Sequence, residues 1–254
     1  MKATDLIRPT QSVTASVTDA LAVFEDAVAR LTSTAAELSA DDTPWAVAQR
    51  EEAADRAVDL LAARAWYAKP SSSLGDVQAV AHRCVAYAVV ADTVLAGGRD
   101  SSDRSVQHRL TGRALLLLTL PEHFDAVTGH VRHLLGAAPE GRLLAAWRMV
   151  DEALGTLDTT RHEWVGADPA VVAAAGWVLV DRMSRLLIAS ALVSQAGAAG
   201  QPSQVAELLV NAARRYAWNH LRRPAPEAAT PTHVRRSADL VSALAPQTRR
   251  EQQR

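Results

Sequence analysis

The sequence predicts an all-α protein: a multi-helix bundle of about eight or nine antiparallel helices, followed by a basic, partly flexible C-terminal tail. Three observations predict it. Roughly a fifth of the 254 residues are alanine, the best helix former because it loses no side-chain entropy on folding. No segment alternates apolar and polar residues with period two between hairpin turns, so no strand is expected. Proline and glycine fall where helices start and stop.

The punctuation places helices near 12–38, 44–68, 74–96, 102–119, 121–135, 140–165, 169–197, 203–222 and 233–244. "TPWAVAQREEAADRAVDLLAARAWYAKP" opens with Thr43 as N-cap and Pro44 in the first turn, and stops before Pro70. "DPAVVAAAGWVLVDRMSRLLIASALVSQAG" repeats the device with Asp168 and Pro169 and ends at Gly197. Pro121 opens "PEHFDAVTGHVRHLLG" and Gly136 closes it. Pro202 opens "PSQVAELLVNAARRYAWNHLRR". The short connections favour antiparallel packing of successive helices. The domain reading is a flexible N-terminus at 1–10, a helical bundle at 11–222, and a Pro/Ala linker with a basic tail at 223–254.

Composition excludes several classes. The single Cys84 rules out an intramolecular disulfide and a cysteine zinc site. "MKATDLIRPTQSVTAS" lacks the apolar stretch of a secretory leader, which suits a cytoplasmic chain. The most apolar run, 169–200, is interrupted by Asp181, Arg182 and Arg185. Those charges fit a buried helix better than a bilayer span, and no membrane partner is expected. Arginine outnumbers lysine 25 to 2, a bias that with the alanine excess points to a high-GC bacterial coding sequence.

The net charge of −1 is unevenly spread. Residues 211–254 carry nine arginines and three acids, giving +6; residues 1–210 carry 18 basic and 25 acidic residues, giving −7. An acidic body with a basic end suits a polyanion, or another copy of the same body.

Four stretches invite a functional reading. In 121–136, His123, His130 and His133 lie among Glu122 and Asp125. Phe124, Val127, Val131, Leu134 and Leu135 share one helical arc. His123 and His130 border that arc, whereas His133 and Glu122 face water. His123 and His130 stand about 10 Å apart along the axis, too far to share an ion. Neither a paired Glu-x-x-His nor a His-Glu-x-x-His pattern occurs, so no metal and no cofactor are expected.

In "DEALGTLDTTRHEW", Asp158 and His162 are i,i+4 neighbours, the skeleton of a general base, with Gly155 beside them. They are the weak catalytic candidates for a helical-bundle enzyme. The simpler reading is a histidine in a last turn complementing the helix dipole. In the central apolar helix, Asp181 and Arg185 can pair, and Ala174, Trp177, Asp181, Ser184 and Gln195 line one edge, read as exposed and suited to a subunit contact.

The fourth stretch, "NAARRYAWNHLRRP", carries Arg214, Arg215, Arg222 and Arg223 with Tyr216, Trp218 and His220. Arg235 and Arg236 follow, with Arg249, Arg250 and Arg254 in the tail. Arginines interleaved with aromatics bind phosphates and stack on bases. Arg214, Arg215, Arg222, Arg223, Arg235, Arg236 and Trp218 are the binding candidates.

"AVDLLAARAWYAKPSSSLGDVQAVAHR", 57–83, resembles in outline the helix-turn-helix of tetracycline-repressor-type regulators. The glycine-containing turn and the aromatic, lysine-ended recognition region that this implies are absent, and "CVAYAVVADTVLAGG" follows instead. The family is therefore not assigned. Glycine-rich phosphate loops, dinucleotide fingerprints and nucleophile elbows are absent.

The function expected from the sequence is that of a non-enzymatic helical interaction or regulatory protein working through protein–protein contacts. Its partner is a protein, a homodimer included. Nucleic acid bound by the arginine-rich C-terminal region is the alternative, and a bundle enzyme using Asp158 and His162 the second alternative.

Overall fold

The computed structural model describes residues 11–38, 43–68, 78–95, 112, 118, 120–164, 169–199, 203–222 and 231–244. These form eight α-helices and no strand: α1 (Gln11–Glu37), α2 (Pro44–Tyr67), α3 (Gln78–Leu95), α4 (Pro121–Leu135), α5 (Leu144–Trp164), α6 (Pro169–Ala198), α7 (Gln204–Leu221) and α8 (Pro231–Leu244). One 3₁₀ turn, Gly141–Leu143, precedes α5. The N-terminus at 1–10, most of the helix expected at 102–119, the linker at 223–230 and the tail beyond 244 lie outside the described residues. Within 102–119, residues 112 and 118 are helical.

Local chemistry sets the helix ends. Thr43 Oγ1 accepts from Ala46 N at 3.3 Å, with Pro44 in the first turn. The start of α7, expected at 203 behind Pro202, falls at Gln204: Ser203 forms the cap, its hydroxyl accepting from Ala206 N at 3.1 Å. A cap needs a side-chain acceptor for an orphan N–H, which proline lacks. Gly136 ends α4 at φ 56°, where a side chain would be strained, and donates its N–H to Arg132 O at 3.1 Å. Trp147 Nε1 on α5 satisfies Leu135 O at 3.2 Å.

Helix α6 is the axis of the core. Every side chain from Met183 to Val193 is buried, and α6 packs against α2, α3, α4, α5 and α7. The largest fully buried groups include Phe24, Phe124, Tyr216, Leu157 and Ile188, drawn from five helices into one cluster. Burying one such aliphatic or aromatic side chain stabilises the fold by about 1.5 to 3 kcal/mol.

The rungs between helices give their relative sense. Glu25–Arg64 and Leu38–Arg50 run in opposite directions along α1 and α2, as do Asp125–Arg161 and Arg132–Asp158 along α4 and α5. Between α2 and α7 the rungs climb together: Glu51 and Asp55 meet Arg215, Asp55 meets Asn219, and Asp59 meets His220. Those two helices, distant in sequence, therefore run in the same sense, and this pair departs from a purely antiparallel arrangement.

Candidate functional site

Helix α7 has two polar faces of opposite character, and the arginine-rich stretch divides between them. With 100° per residue, Arg215, Asn219, Tyr216 and His220 turn inward. Glu207, Asn211, Arg214 and Trp218 form one outward stripe, of which Glu207 is exposed, Asn211 and Arg214 are half-buried, and Trp218 is half-buried against the core.

The inward face closes a network with α2, α3 and α6. Arg215 Nε donates to Asp55 Oδ1 at 2.6 Å, and its Nη2 reaches Glu51 Oε2 at 2.8 Å and Glu51 O at 3.1 Å. Asn219 Nδ2 donates to the same Asp55 oxygen at 2.6 Å. His220 Nε2 lies 2.6 Å from Asp59 Oδ1, and Arg56 Nη1 holds Asp59 Oδ2 at 2.8 Å. Deeper still, Arg185 grips both oxygens of Asp92 at 2.7 and 2.8 Å, touches Tyr216 Oη at 3.5 Å, and has Asp181 at 3.5 Å. Burial and the charge of Asp92 push the Asp59 carboxyl above the usual range, against the pull of His220 and Arg185. Burial pushes the Tyr216 phenol up, so it stays protonated.

Sequence reasoning missed this network. The expected Asp181–Arg185 pair forms, at 3.5 Å, but the bidentate partner, Asp92, was not anticipated. The edge read as exposed on α6 is only partly so: Trp177 is 56% exposed, but Ser184 is fully buried. Ser184 Oγ lies 2.5 Å from both Val180 O and Cys84 O, a hydroxyl at home in the core because its proton has an acceptor. A signal was present: Glu51, Asp55 and Asp59 follow at four-residue spacing, and Asp59 and Asp92 each interrupt an apolar run.

Arg215 was expected among the binding candidates. It is buried and its donors are committed to Glu51 and Asp55, because on α7 it lies about 100° from Arg214. The outward stripe keeps Arg214 and Trp218. Arg214, half-buried, has no carboxylate partner among the described residues. Burial, then the charges of Arg236 and Arg142, push its guanidinium below the ordinary value; it remains a cation at neutral pH. Arg142, in the 3₁₀ turn, donates to Asn211 Oδ1 at 2.6 Å and has Glu207 at 3.7 Å. Arg222 stacks on the Trp218 ring at 5.1 Å. Arg235 is exposed and Arg236 half-buried on α8. Arg223, Arg249, Arg250 and Arg254 lie outside the described residues.

The weak catalytic pair does not form. Asp158 is hydrogen-bonded and ion-paired to Arg132 of α4, and His162 is exposed. The carboxylate serves as an α4–α5 staple, matched by Arg161–Asp125 at 2.5 Å. Gly155 is exposed with open space beside it, so no close approach requires its lack of a side chain. His123 and His130 are buried at the border of the apolar arc, while His133 and Glu122 face solvent. His130 packs edge-on against Trp66 at 5.7 Å. Among the described residues no three His, Cys, Asp or Glu side chains gather as a metal site requires. No described helix is long and apolar enough to cross a membrane.

No protein-family model, no curated protein and no solved structure matches the chain.

Proposed function

We propose that the chain is a non-enzymatic helical interaction protein that works through protein–protein contacts, receiving an anionic protein partner on the outward face of α7. The partner best matched in charge is a second copy of the chain. The observation that carries this reading is Arg214, a cation set beside Arg142 and Arg236 with no carboxylate of its own among the described residues. Such an arrangement is repulsive in the isolated chain and is relieved by an anion. The rest of the chain supplies one. Its net charge of −7 over residues 1–210 includes the exposed carboxylates Glu122, Glu140, Asp151 and Glu152 on and between α4 and α5.

Sedimentation velocity tests the reading. Wild-type chain associates at low ionic strength and dissociates as salt rises. The pair Arg214→Glu with Arg236→Glu, and separately Asp151→Arg with Glu152→Arg, each abolish association, and mixing the two variants restores it. A wild-type chain that stays monomeric at low salt, or variants that associate as well as wild type, overturns the proposal.

One feature favours nucleic acid as a second reading: the Arg222-stacked Trp218 ring follows Arg214 on the same stripe, a pattern suited to a phosphate beside a base. A mobility shift with single-stranded oligonucleotides, steeply weakened by salt, supports it; no shift at low salt removes it.

A further inference from the structure

Helix α8 is the last of the described helices, and its seat is not on the helix that precedes it. It packs most extensively on α2, then on α1, and only slightly on α7, to which residues 222–230 join it. A short helix thus lies against two long ones, as a peptide helix lies in a groove. With Leu240 as origin and about 100° per residue, Val241 follows at about 100°, and both side chains are buried in the central cluster. Arg236 and Ala238, half-buried, flank them at about −40° and about 160°, and Arg235, Asp239, Ser242 and Ala243 occupy the exposed remainder. The helix therefore attaches by one stripe.

Charge favours the same seat. Residues 11–67, which span α1 and α2, carry four basic and ten acidic residues, giving −6; residues 231–254 carry five basic and two acidic residues, giving +3. The attachment is nevertheless slight. Among the described side chains of α8 only Leu240 and Val241 are buried, against 14 residues whose backbone must be ordered. A helix of that length is marginal alone in water, so its order depends on docking. Its departure breaks no contact between the other helices.

We propose that the α1–α2 face under α8 is a docking groove for a basic amphipathic helix of a protein partner, and that α8 is the groove's occupant within the chain, displaced when the partner binds. The partner helix presents two adjacent aliphatic anchors where α8 has Leu240 and Val241, and cations where α8 has Arg235 and Arg236. The proposal rests on the reading of the chain as an interaction protein; it does not rest on the outward face of α7.

A fluorescent peptide of the α8 sequence, residues 231–244, serves as the probe, and the full chain is the receptor. Leu240→Asp with Val241→Asp puts two carboxylates at the buried anchors and frees the groove from within. This variant keeps a cooperative melting transition by circular dichroism and binds the peptide. The wild-type chain binds it about tenfold more weakly or worse, because its own α8 competes at high effective concentration. A peptide carrying the same two substitutions does not bind. Hydrogen exchange on the wild-type chain is the second measurement: the amides of α8 open together and exchange about a hundredfold faster than those of 183–193 on α6. Loss of the whole fold in the variant, no peptide binding by the folded variant, or α8 amides exchanging at the rate of α6 each overturns the proposal. A wild-type dimer that survives high salt and is dissolved by Leu240→Asp with Val241→Asp shows a second copy's α8 in the groove, and overturns a separate partner. A chain that takes the peptide yet stays monomeric at low salt sinks only the second-copy partner on α7. A chain that associates through Arg214 but takes no peptide sinks only this groove.

Discussion

Arg185 reaches 93 positions back along the chain to hold both oxygens of Asp92, at 2.7 and 2.8 Å, in the interior between α6 and α3. Both side chains are nearly sealed from water, at 7% and 4% exposure. The pair is neutral as a unit, and each member alone would be an uncompensated charge in a medium that solvates it poorly.

Breaking that pair from one side is therefore expected to be far worse than removing it. Asp92→Ala should destabilise the fold by about 3 to 5 kcal/mol, since Asp181, at 3.5 Å and partly exposed, replaces only part of the lost partner. The double variant Asp92→Leu with Arg185→Met should recover most of the loss. Urea denaturation of the two singles and the double checks this. Additive single-variant losses would show that the residues do not act as a pair.

Asp59 carries a pH signature of definite sign. Its carboxyl titrates above the ordinary 3.8 in the fold, chiefly through burial and then through Asp92. The folded state thus binds this proton more tightly than the unfolded state does. The associated stability is fully present below 3.8 and is lost as pH rises through the raised folded value. Wild type should accordingly lose stability relative to Asp59→Asn as pH rises from about 4, whatever the other carboxylates contribute to both proteins. Denaturation midpoints of the two across that range provide the check. A difference moving the other way would mean that His220 and Arg56 outweigh burial at this carboxyl.

Cys84 is fully buried on α3, and burial pushes its thiol up to about 12 despite the nearby Arg83 charge. Thiolate is the reactive form. A disulfide reagent should label the native chain slowly at neutral pH and label it at once in denaturant. Rapid labelling of the native chain would show that α3 opens on the labelling timescale.

The architecture was legible because one-dimensional signals carry it. Pro44, Thr43, Pro121 and Gly136 act on neighbours in sequence, and the apolar arc containing Phe124 and Val131 is set by helical period alone. The same local reasoning placed His123 and His130 at the border of a buried face. It found Asp181 beside Arg185 but missed Asp92, and it missed the partners of Arg215, because these are remote. A helical wheel shows that Arg214 and Arg215 point apart, but not which one meets α2. That depends on α2 and α7 running in the same sense, which brings Glu51, Asp55 and Asp59 into step with Arg215, Asn219 and His220. Asp158 failed similarly: His162 is its neighbour in sequence, and Arg132 on another helix is its neighbour in space.

Arg214 and Arg215 make the sharpest contrast, since the two are adjacent, chemically identical and placed in opposite roles. Arg215 satisfies two carboxylates and a main-chain carbonyl on α2. Replacing it with methionine keeps the aliphatic stem but strands those acceptors. Glu51 and Asp55 retain some water, at 24% and 34% exposure, so the loss should be moderate, about 2 kcal/mol. Arg214 faces two other cations. Arg214→Gln removes repulsion and should leave stability within about 0.5 kcal/mol of wild type, shifted toward greater stability. Low salt should enlarge that gain because repulsion between partly exposed charges is then less screened. Chemical denaturation of both variants at two ionic strengths measures all three expectations. If Arg214→Gln proves as damaging as Arg215→Met, Arg214 has a structural partner, and the outward face of α7 is not held open for an anion.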